Sequence, residues 1–139
     1  MDGKFSIVLV DDDIDDQELI KRAFLDSKVK VEINVMYNGL QLMDYLLRRE
    51  AYKNVKDALP DLILLDLNMP LMDGFDVLAT IKNTPSLRGI PIYVITTSRS
   101  TDDKKKALQL GAAGFYSKGA SSKDIKKIVK EVCLQCFEE

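Results

Sequence analysis

Hydrophobic residues along this chain follow two alternating patterns, short apolar runs and longer segments with the periodicity of an amphipathic helix. Phe5–Val10 is a nearly continuous apolar run, typical of a strand buried on both faces, and a helix face follows it at Leu19, Ile20, Ala23 and Phe24. The alternation predicts five strands, at Phe5–Val10, Val31–Tyr37, Asp61–Asp66, Ile90–Thr96 and Gly114–Ser117. The remaining helices are predicted at Leu40–Arg49, Phe75–Lys82, Asp103–Leu110 and Lys123–Phe137.

This order of elements predicts an α/β fold, because a parallel strand pair needs a crossover and a helix supplies it. The sheet is expected to be five-stranded, parallel and doubly wound, with helices on both faces. In such sheets the functional crevice lies at the carboxyl ends of the strands. The polar residues at those ends are therefore the candidates for a functional site.

Length and charge narrow the function classes. A chain of 139 residues fits one domain, spanning 1–139, and because few residues follow the last predicted helix, no output domain is expected. The net charge of −2 gives no general attraction to nucleic acid, and no apolar run approaches the roughly 20 residues that cross a membrane. No secretory signal precedes the first strand, so a cytoplasmic protein without nucleic-acid or membrane partners is expected.

The two cysteines, Cys133 and Cys136, form a C-x-x-C pair in the last predicted helix. Zinc would need two more Cys or His ligands, and the chain has 0 histidines, while a redox pair needs a helix N-terminus. The pair instead continues an apolar helix face formed by Ile125, Ile128, Val129 and Val132. Core thiols are therefore predicted.

Polar residues do follow the predicted strands. Asp11 and Asp12 follow the first strand, Asp66 ends the third, Thr96 ends the fourth and Lys118 follows the fifth. Clustered carboxylates repel one another, and a hard divalent cation such as Mg²⁺ relieves that repulsion. A threonine and a lysine beside such a cluster are suited to hold the oxygens of a phosphoryl group, and an aspartate can be the nucleophile that accepts it.

Five short motifs, in this order, resemble the receiver domain of bacterial two-component response regulators, a flavodoxin-like fold. They are Leu9-Val-Asp-Asp12, Leu64-Leu-Asp-Leu-Asn-Met-Pro70, Met72-Asp-Gly74, Ile95-Thr-Thr97 and Phe115-Tyr-Ser-Lys118. The resemblance covers almost the whole chain. It implies phosphorelay signalling by a protein that is not a dedicated enzyme, apart from slow self-dephosphorylation.

The resemblance also implies a role for each site residue. Asp66 would accept a phosphoryl group from a histidine kinase or a histidine phosphotransfer protein. Mg²⁺ or Mn²⁺ would be held by Asp12, Asp66 and the Asn68 carbonyl, and through water by Asp11. Thr96 and Lys118 would bind the phosphoryl oxygens. Phe115 would be the aromatic switch, turning inward as Thr96 moves and altering the surface of the fourth helix, fifth strand and last helix, where a downstream protein or a second copy of the chain could bind.

Three features depart from the family pattern. Gly119 follows Lys118 where proline is usual, which predicts a trans peptide bond and a more mobile loop. The switch ring at Phe115 lacks a hydroxyl. The segment Arg48–Pro60 is longer than in a minimal receiver and resembles the small regulators that partner phytochrome-type kinases.

Other interpretations remain open for several residues. Asp13, Asp15 and Asp16 are interpreted as helix N-terminal acids, with Asp13 as the cap. Met69 and Met72 fit either a partner contact or gap-filling in the core. The lysines of the last helix are interpreted as a solvated face rather than a docking site; they are Lys123, Lys126, Lys127 and Lys130.

An enzyme of another class also fits part of the sequence. Val10-Asp-Asp-Asp-Ile14 matches the D-x-D motif of haloacid-dehalogenase-like phosphatases, with Asp11 as nucleophile and Asp13 as acid-base. Members of that family have an acidic pair later in the chain than the lysine. Here only Asp124 follows Lys118 before the terminal glutamates. A receiver fold that works without phosphorylation is disfavoured because every phosphotransfer residue is present. The chain has neither histidine nor an ATP-binding loop, so its phosphoryl group must come from elsewhere.

Overall fold

The computed structural model describes residues 5–118 and 122–136. One parallel sheet has the strand order β2-β1-β3-β4-β5, with β1 at Phe5–Val10, β2 at Val31–Met36, β3 at Leu62–Leu65, β4 at Ile92–Thr96 and β5 at Gly114–Ser117. The helices are α1 at Ile14–Asp26, α2 at Gly39–Leu46, α3 at Gly74–Lys82, α4 at Thr101–Gln109 and α5 at Ser122–Cys136. This architecture confirms the predicted α/β fold.

Two apolar layers cover the sheet, and each strand contributes alternate residues to them. In β3, Ile63 and Leu65 join the layer formed with α2, α3 and α4. Leu62 and Leu64 join the other layer, formed with α1 and α5. Because the side chains of β3 are fully buried on both faces, its apolar run has no alternation of polar residues.

Side-chain caps begin four of the helices, each by accepting the backbone N–H three residues further on. The caps are Asp13 for α1, Asn38 for α2, Asp73 for α3 and Ser100 for α4. The interpretation of Asp13 as a cap is confirmed. The distance from Asp16 N to Asp13 Oδ1 is 3.0 Å, and this bond fixes the first turn of α1 beside the end of β1.

Some predicted boundaries and faces differ from the structure. Helix α2 ends at Leu46 rather than Arg49, because Arg48 has a left-handed backbone with φ of 55°. Strand β4 begins at Ile92, directly after Pro91, which has no N–H to donate. On α1, Leu19 is 37% exposed, and the neighbouring Gln17 is buried instead. The Gln17 amide is accommodated because it donates to the Asp11 carbonyl.

The long segment between α2 and β3 is attached to the core by Tyr52. This residue lies in a short 3₁₀ turn, Glu50–Tyr52, and its ring meets that of Tyr45 edge-on at 5.4 Å between centroids. The Tyr52 hydroxyl accepts a hydrogen bond from Gln41 Nε2 at 2.9 Å. Arg48 lies 4.9 Å over the Tyr45 ring and donates to the Asp57 carbonyl. The extra length therefore forms a packed surface feature.

The predicted apolar face of α5 is also present. Cys133 is buried, Cys136 is half-buried and no disulfide joins them, which fits core packing. In the part of the chain that the structure describes, no helix has the length and apolar character needed to cross a membrane. Phe137 and the peptide bond between Lys118 and Gly119 lie outside the described residues, so the trans bond stays a prediction.

Candidate functional site

The carboxyl end of the sheet brings the predicted polar residues into one pocket. Asp11 and Asp66 continue the neighbouring strands β1 and β3, whose last residues Val10 and Leu65 are paired. Thr96 is the last residue of β4, and Lys118 directly follows β5. Because the strands are parallel and in register, their carboxyl ends meet at one edge and these four polar residues can converge.

Three carboxylates form the acidic part of this pocket. Oxygens of Asp11, Asp12 and Asp66 all lie within 4.8 Å of one another. At that separation two ionised carboxylates repel by about 3.5 kcal/mol at an effective dielectric of about 20. Oxygen donors at this density are the ligands that Mg²⁺, Mn²⁺ and Ca²⁺ accept, so the donor set fits a divalent cation. The Asn68 backbone also reaches the pocket, with its N 3.5 Å from Asp66 Oδ1.

The three acids differ in how deeply they are buried. Asp11 is 1% exposed and Asp66 is 7% exposed, while Asp12 lies at the exposed rim. Burial raises the pKa of Asp11 from its ordinary 3.8 to about 6, against the opposing hydrogen bond from Lys118. Burial likewise raises the pKa of Asp66, against the lowering effect of Lys118 and of a hydrogen bond from Thr96. The folded protein therefore disfavours the ionised form of both buried acids.

Lys118 is the buried cation of the pocket, 6% exposed. Its Nζ lies 2.6 Å from Asp11 Oδ2, 2.8 Å from Asp16 Oδ2 and 3.8 Å from Asp66 Oδ2. Burial alone would lower the pKa of Lys118, but the hydrogen bonds to Asp11 and Asp16 raise it above its ordinary value. The ammonium is therefore charged and is shared among three carboxylates.

The contact of Asp16 with Lys118 was not anticipated from the sequence. The sequence indicates only that Asp16 is an acid in the first helical turn, and it does lie there. No local signal marks the ion pair, since the two residues are 102 positions apart. The rotation of α1 about its axis decides which first-turn acid faces the pocket, and residue spacing alone does not report that rotation.

The two remaining predicted residues lie on β4 and β5. Thr96 is fully buried, and its hydroxyl accepts the backbone N–H of Ser98 at 3.3 Å. Its carbonyl accepts the backbone N–H of Lys118, which joins the ends of β4 and β5. Phe115 is half-buried and packs against the layer that contains α4, so its ring is already partly inside.

Met69 and Met72 pack against that same layer as partly buried residues. This contact fits the gap-filling interpretation, although both side chains keep some exposed surface beside the loop that follows Asp66.

Comparison with known proteins identifies the family. The family model "Response regulator receiver domain" matches residues 7–130. The chain belongs to this receiver-domain family, whose members act in phosphorelay signal transduction and are in general phosphoacceptors rather than enzymes. The alternative of a haloacid-dehalogenase-like phosphatase finds no support in these matches.

The matches to two relatives extend over most of this chain and most of each relative. The response regulator Rcp1 of Synechocystis is 36% identical over 126 residues, which is 91% of this chain and 84% of that protein. The probable methanogenesis regulatory protein FilR2 of Methanothrix harundinacea is 37% identical over 128 residues, 92% of this chain and 81% of that protein.

Solved structures of similar proteins bear on the site. The Mn²⁺-bound form of Rcp1 has a TM-score of 0.88 at 34% identity, covering 97% of this chain and 96% of that chain. The phosphorylated cyanobacterial phytochrome response regulator RcpA also has a TM-score of 0.88, at 36% identity, covering 96% of this chain and 94% of that chain.

Proposed function

We propose that Asp66 is the phosphoryl acceptor of this receiver domain. The single observation that carries the proposal is the position of Asp66. It is a nearly buried carboxylate at the end of a central strand, within 4.8 Å of Asp11 and Asp12 oxygens and 3.8 Å from Lys118 Nζ. Asp11 has a comparable burial, but its contacts are shorter: its Oδ2 is 2.6 Å from Lys118 Nζ and its Oδ1 accepts the Asp13 N–H at 2.9 Å, whereas Asp66 Oδ2 is 3.8 Å from Lys118 Nζ and its Oδ1 is 3.5 Å from the Asn68 N.

The proposed reaction is transfer from a phosphohistidine. An Asp66 carboxylate oxygen attacks phosphorus in line, the new O–P bond forms, and the N–P bond to the donor imidazole breaks. The Lys118 ammonium and the Thr96 hydroxyl are proposed to hold the non-bridging oxygens. The donor is proposed only as a phosphohistidine and not as one particular kinase. Relatives of similar identity belong to different pathways by name, since RcpA is a phytochrome response regulator and FilR2 a probable methanogenesis regulatory protein.

The acidic pocket is proposed to hold Mg²⁺ in the cell. Asp12, Asp66 and the Asn68 carbonyl are assigned as direct ligands, and Asp11 as a ligand through water. When bound, the cation would neutralise charge on the carboxylates and on the transferred phosphoryl group. The fit rests on the carboxylate set, and Mn²⁺ is an acceptable substitute because it prefers the same oxygen donors.

The output is proposed to be a change of protein-interaction surface. Thr96 would move toward the phosphoryl group, and Phe115 would then move further into the space beside α4. Because Phe115 and Tyr116 are adjacent on β5 and pack into opposite layers, a shift of β5 reaches both α4 and α5. A downstream protein or a second copy of the chain would bind the altered α4-β5-α5 surface.

The proposal is tested by intact mass after incubation with acetyl phosphate and Mg²⁺. Wild type, Asp66→Asn and Asp11→Asn are compared, with a parallel set in excess EDTA. We expect one phosphoryl adduct in wild type, a reduced adduct in Asp11→Asn, and none in Asp66→Asn or in EDTA. An adduct that persists in Asp66→Asn and disappears only in Asp11→Asn would favour the phosphatase-type nucleophile and overturn the assignment.

A further inference from the structure

Lys118 is held on the α1 side of the pocket. Two of its three N–H donors have acceptors at hydrogen-bond distance, Asp11 Oδ2 at 2.6 Å and Asp16 Oδ2 at 2.8 Å. The Asp66 oxygen, at 3.8 Å from Nζ, lies beyond that distance. The ammonium therefore does not make its short contacts with the carboxylate that is proposed to carry the phosphoryl group.

The backbone of Asp16 is held by the start of α1. The Asp16 N–H donates to the Asp13 cap at 3.0 Å, and the side-chain amide of the neighbouring Gln17 donates to the Asp11 carbonyl. The first turn of α1 is thereby attached to the end of β1. Asp15, in the same turn, is exposed and forms no ion pair with Lys118 among the described residues.

The two acids that bind Lys118 differ in what else they do. Asp11 belongs to the carboxylate group that fits a cation, and its other oxygen accepts the Asp13 N–H. The Asp16 carboxylate lies outside that group and its side chain is 26% exposed. Its observed interaction with the pocket is the one with the lysine. Removing the Asp16 charge should therefore change Lys118 and leave the three pocket carboxylates in place.

We propose that Asp16 is a positioning residue that competes with the phosphoryl group for the Lys118 ammonium. This inference rests on the proposed function of Asp66 and Lys118. In the unphosphorylated protein, Asp16 holds the lysine away from Asp66. On phosphorylation, the ammonium moves toward the phosphoryl oxygens and gives up the Asp16 contact. Asp16 thus lowers the affinity of the pocket for a phosphoryl group.

Beryllofluoride, a tetrahedral mimic of an aspartyl phosphate, measures this competition at equilibrium. Binding in excess Mg²⁺ is followed by ¹⁹F NMR for wild type, Asp16→Asn, Asp16→Glu and Asp15→Asn. We expect Asp16→Asn to bind about two- to fivefold more tightly, the range given by losing one partly exposed ion pair. Asp16→Glu should lie near wild type because the carboxylate is kept. Asp15→Asn should also lie near wild type, because it removes the same charge from the same turn without touching the lysine.

A second measurement needs neither metal nor mimic. The ¹⁵N signal of the Lys118 ammonium should shift in Asp16→Asn, where one acceptor loses its charge, and should stay in place in Asp15→Asn. The inference is overturned if Asp16→Asn binds beryllofluoride no more tightly than wild type, if Asp15→Asn tightens it equally, or if the Lys118 signal does not move. Absence of beryllofluoride binding in every protein, wild type included, would instead overturn the proposed function of Asp66 on which the inference rests.

Discussion

Acidification should stabilise the metal-free protein, and Asp11 is the reason. Its pKa of about 6 in the folded protein stands above the ordinary 3.8, so the folded state binds this proton more tightly than the unfolded state does. The ionised carboxylate therefore costs stability above pH 6, and the cost disappears as the group is protonated. Stability should rise as the pH falls from 7.5 toward 5, the opposite of the trend for a carboxylate with a lowered pKa.

The size of the effect follows from linkage. Between pH 7.5 and 5, a shift from 3.8 to about 6 contributes about 1.4 kcal/mol to the free energy of unfolding. Because Asp11 is only 1% exposed, solvent screens this contribution little. The chain has 0 histidines, so no imidazole titrates in this window. Asp66, whose pKa is also raised, should add to the trend in the same direction.

Urea unfolding in EDTA at several pH values measures this directly. The chain has 0 tryptophans and 5 tyrosines, so far-UV circular dichroism or tyrosine emission is the signal. Asp11→Asn is the matched control, and the difference between wild type and this variant isolates the Asp11 proton. Saturating Mg²⁺ should reverse the trend, because the cation competes with the proton for the same carboxylates. A wild-type stability that is flat or falls toward pH 5, with no difference from Asp11→Asn, would refute the reasoning.

Two further substitutions test the pocket and its support. Asp66→Asn should raise metal-free stability by about 1–2 kcal/mol and weaken Mg²⁺ binding, because it removes a buried charge that the proposed cation needs. Urea unfolding with and without Mg²⁺ measures both effects. A variant less stable than wild type without metal, or an equal stabilisation of variant and wild type by Mg²⁺, would contradict the shared pocket. Gly74→Ala should lower the free energy of unfolding by about 1–3 kcal/mol in the same assay, because the added Cβ would lie 2.6 Å from the Asp66 carbonyl oxygen. Gly89→Ala is the control and should be close to neutral, because nothing lies within 4 Å of its added Cβ. Equal effects of the two substitutions would show that the loop after Asp66 can shift to make room for the methyl group.

The fold was predictable because its signals are local. Strands β1, β3 and β4 are mainly apolar runs, β2 alternates apolar and polar residues, and the segments between the strands carry a helical repeat. The boundaries that differed depended on single residues, such as the left-handed backbone at Arg48 and the missing N–H of Pro91. An apolar count does not detect either feature.

The site was partly predictable, for a topological reason. In a parallel sheet, the residue after each strand lies on the same edge, so Asp11, Asp66 and Lys118 could be grouped without knowing any distance. Distances within the group depend on the rotation of α1 and on the direction of a long flexible lysine. The ion pair between Lys118 and Asp16 needs both, and it became visible only with the side chains in place.

The central claim, that Asp66 carries the phosphoryl group, is tested most directly by locating that group. Trypsin places Asp11, Asp12 and Asp16 in one peptide, residues 5–21, and Asp66 in another, residues 57–82. After acetyl phosphate and Mg²⁺, a brief tryptic digestion at mildly acidic pH, where trypsin still cleaves and the acyl phosphate survives, should leave the phosphoryl mass, in wild type, on the 57–82 peptide alone. The same peptide from Asp66→Asn should be unmodified, although it keeps four other aspartates, Asp57, Asp61, Asp73 and Asp76. A phosphoryl group on the 5–21 peptide, or one that persists on 57–82 in Asp66→Asn, would contradict the account.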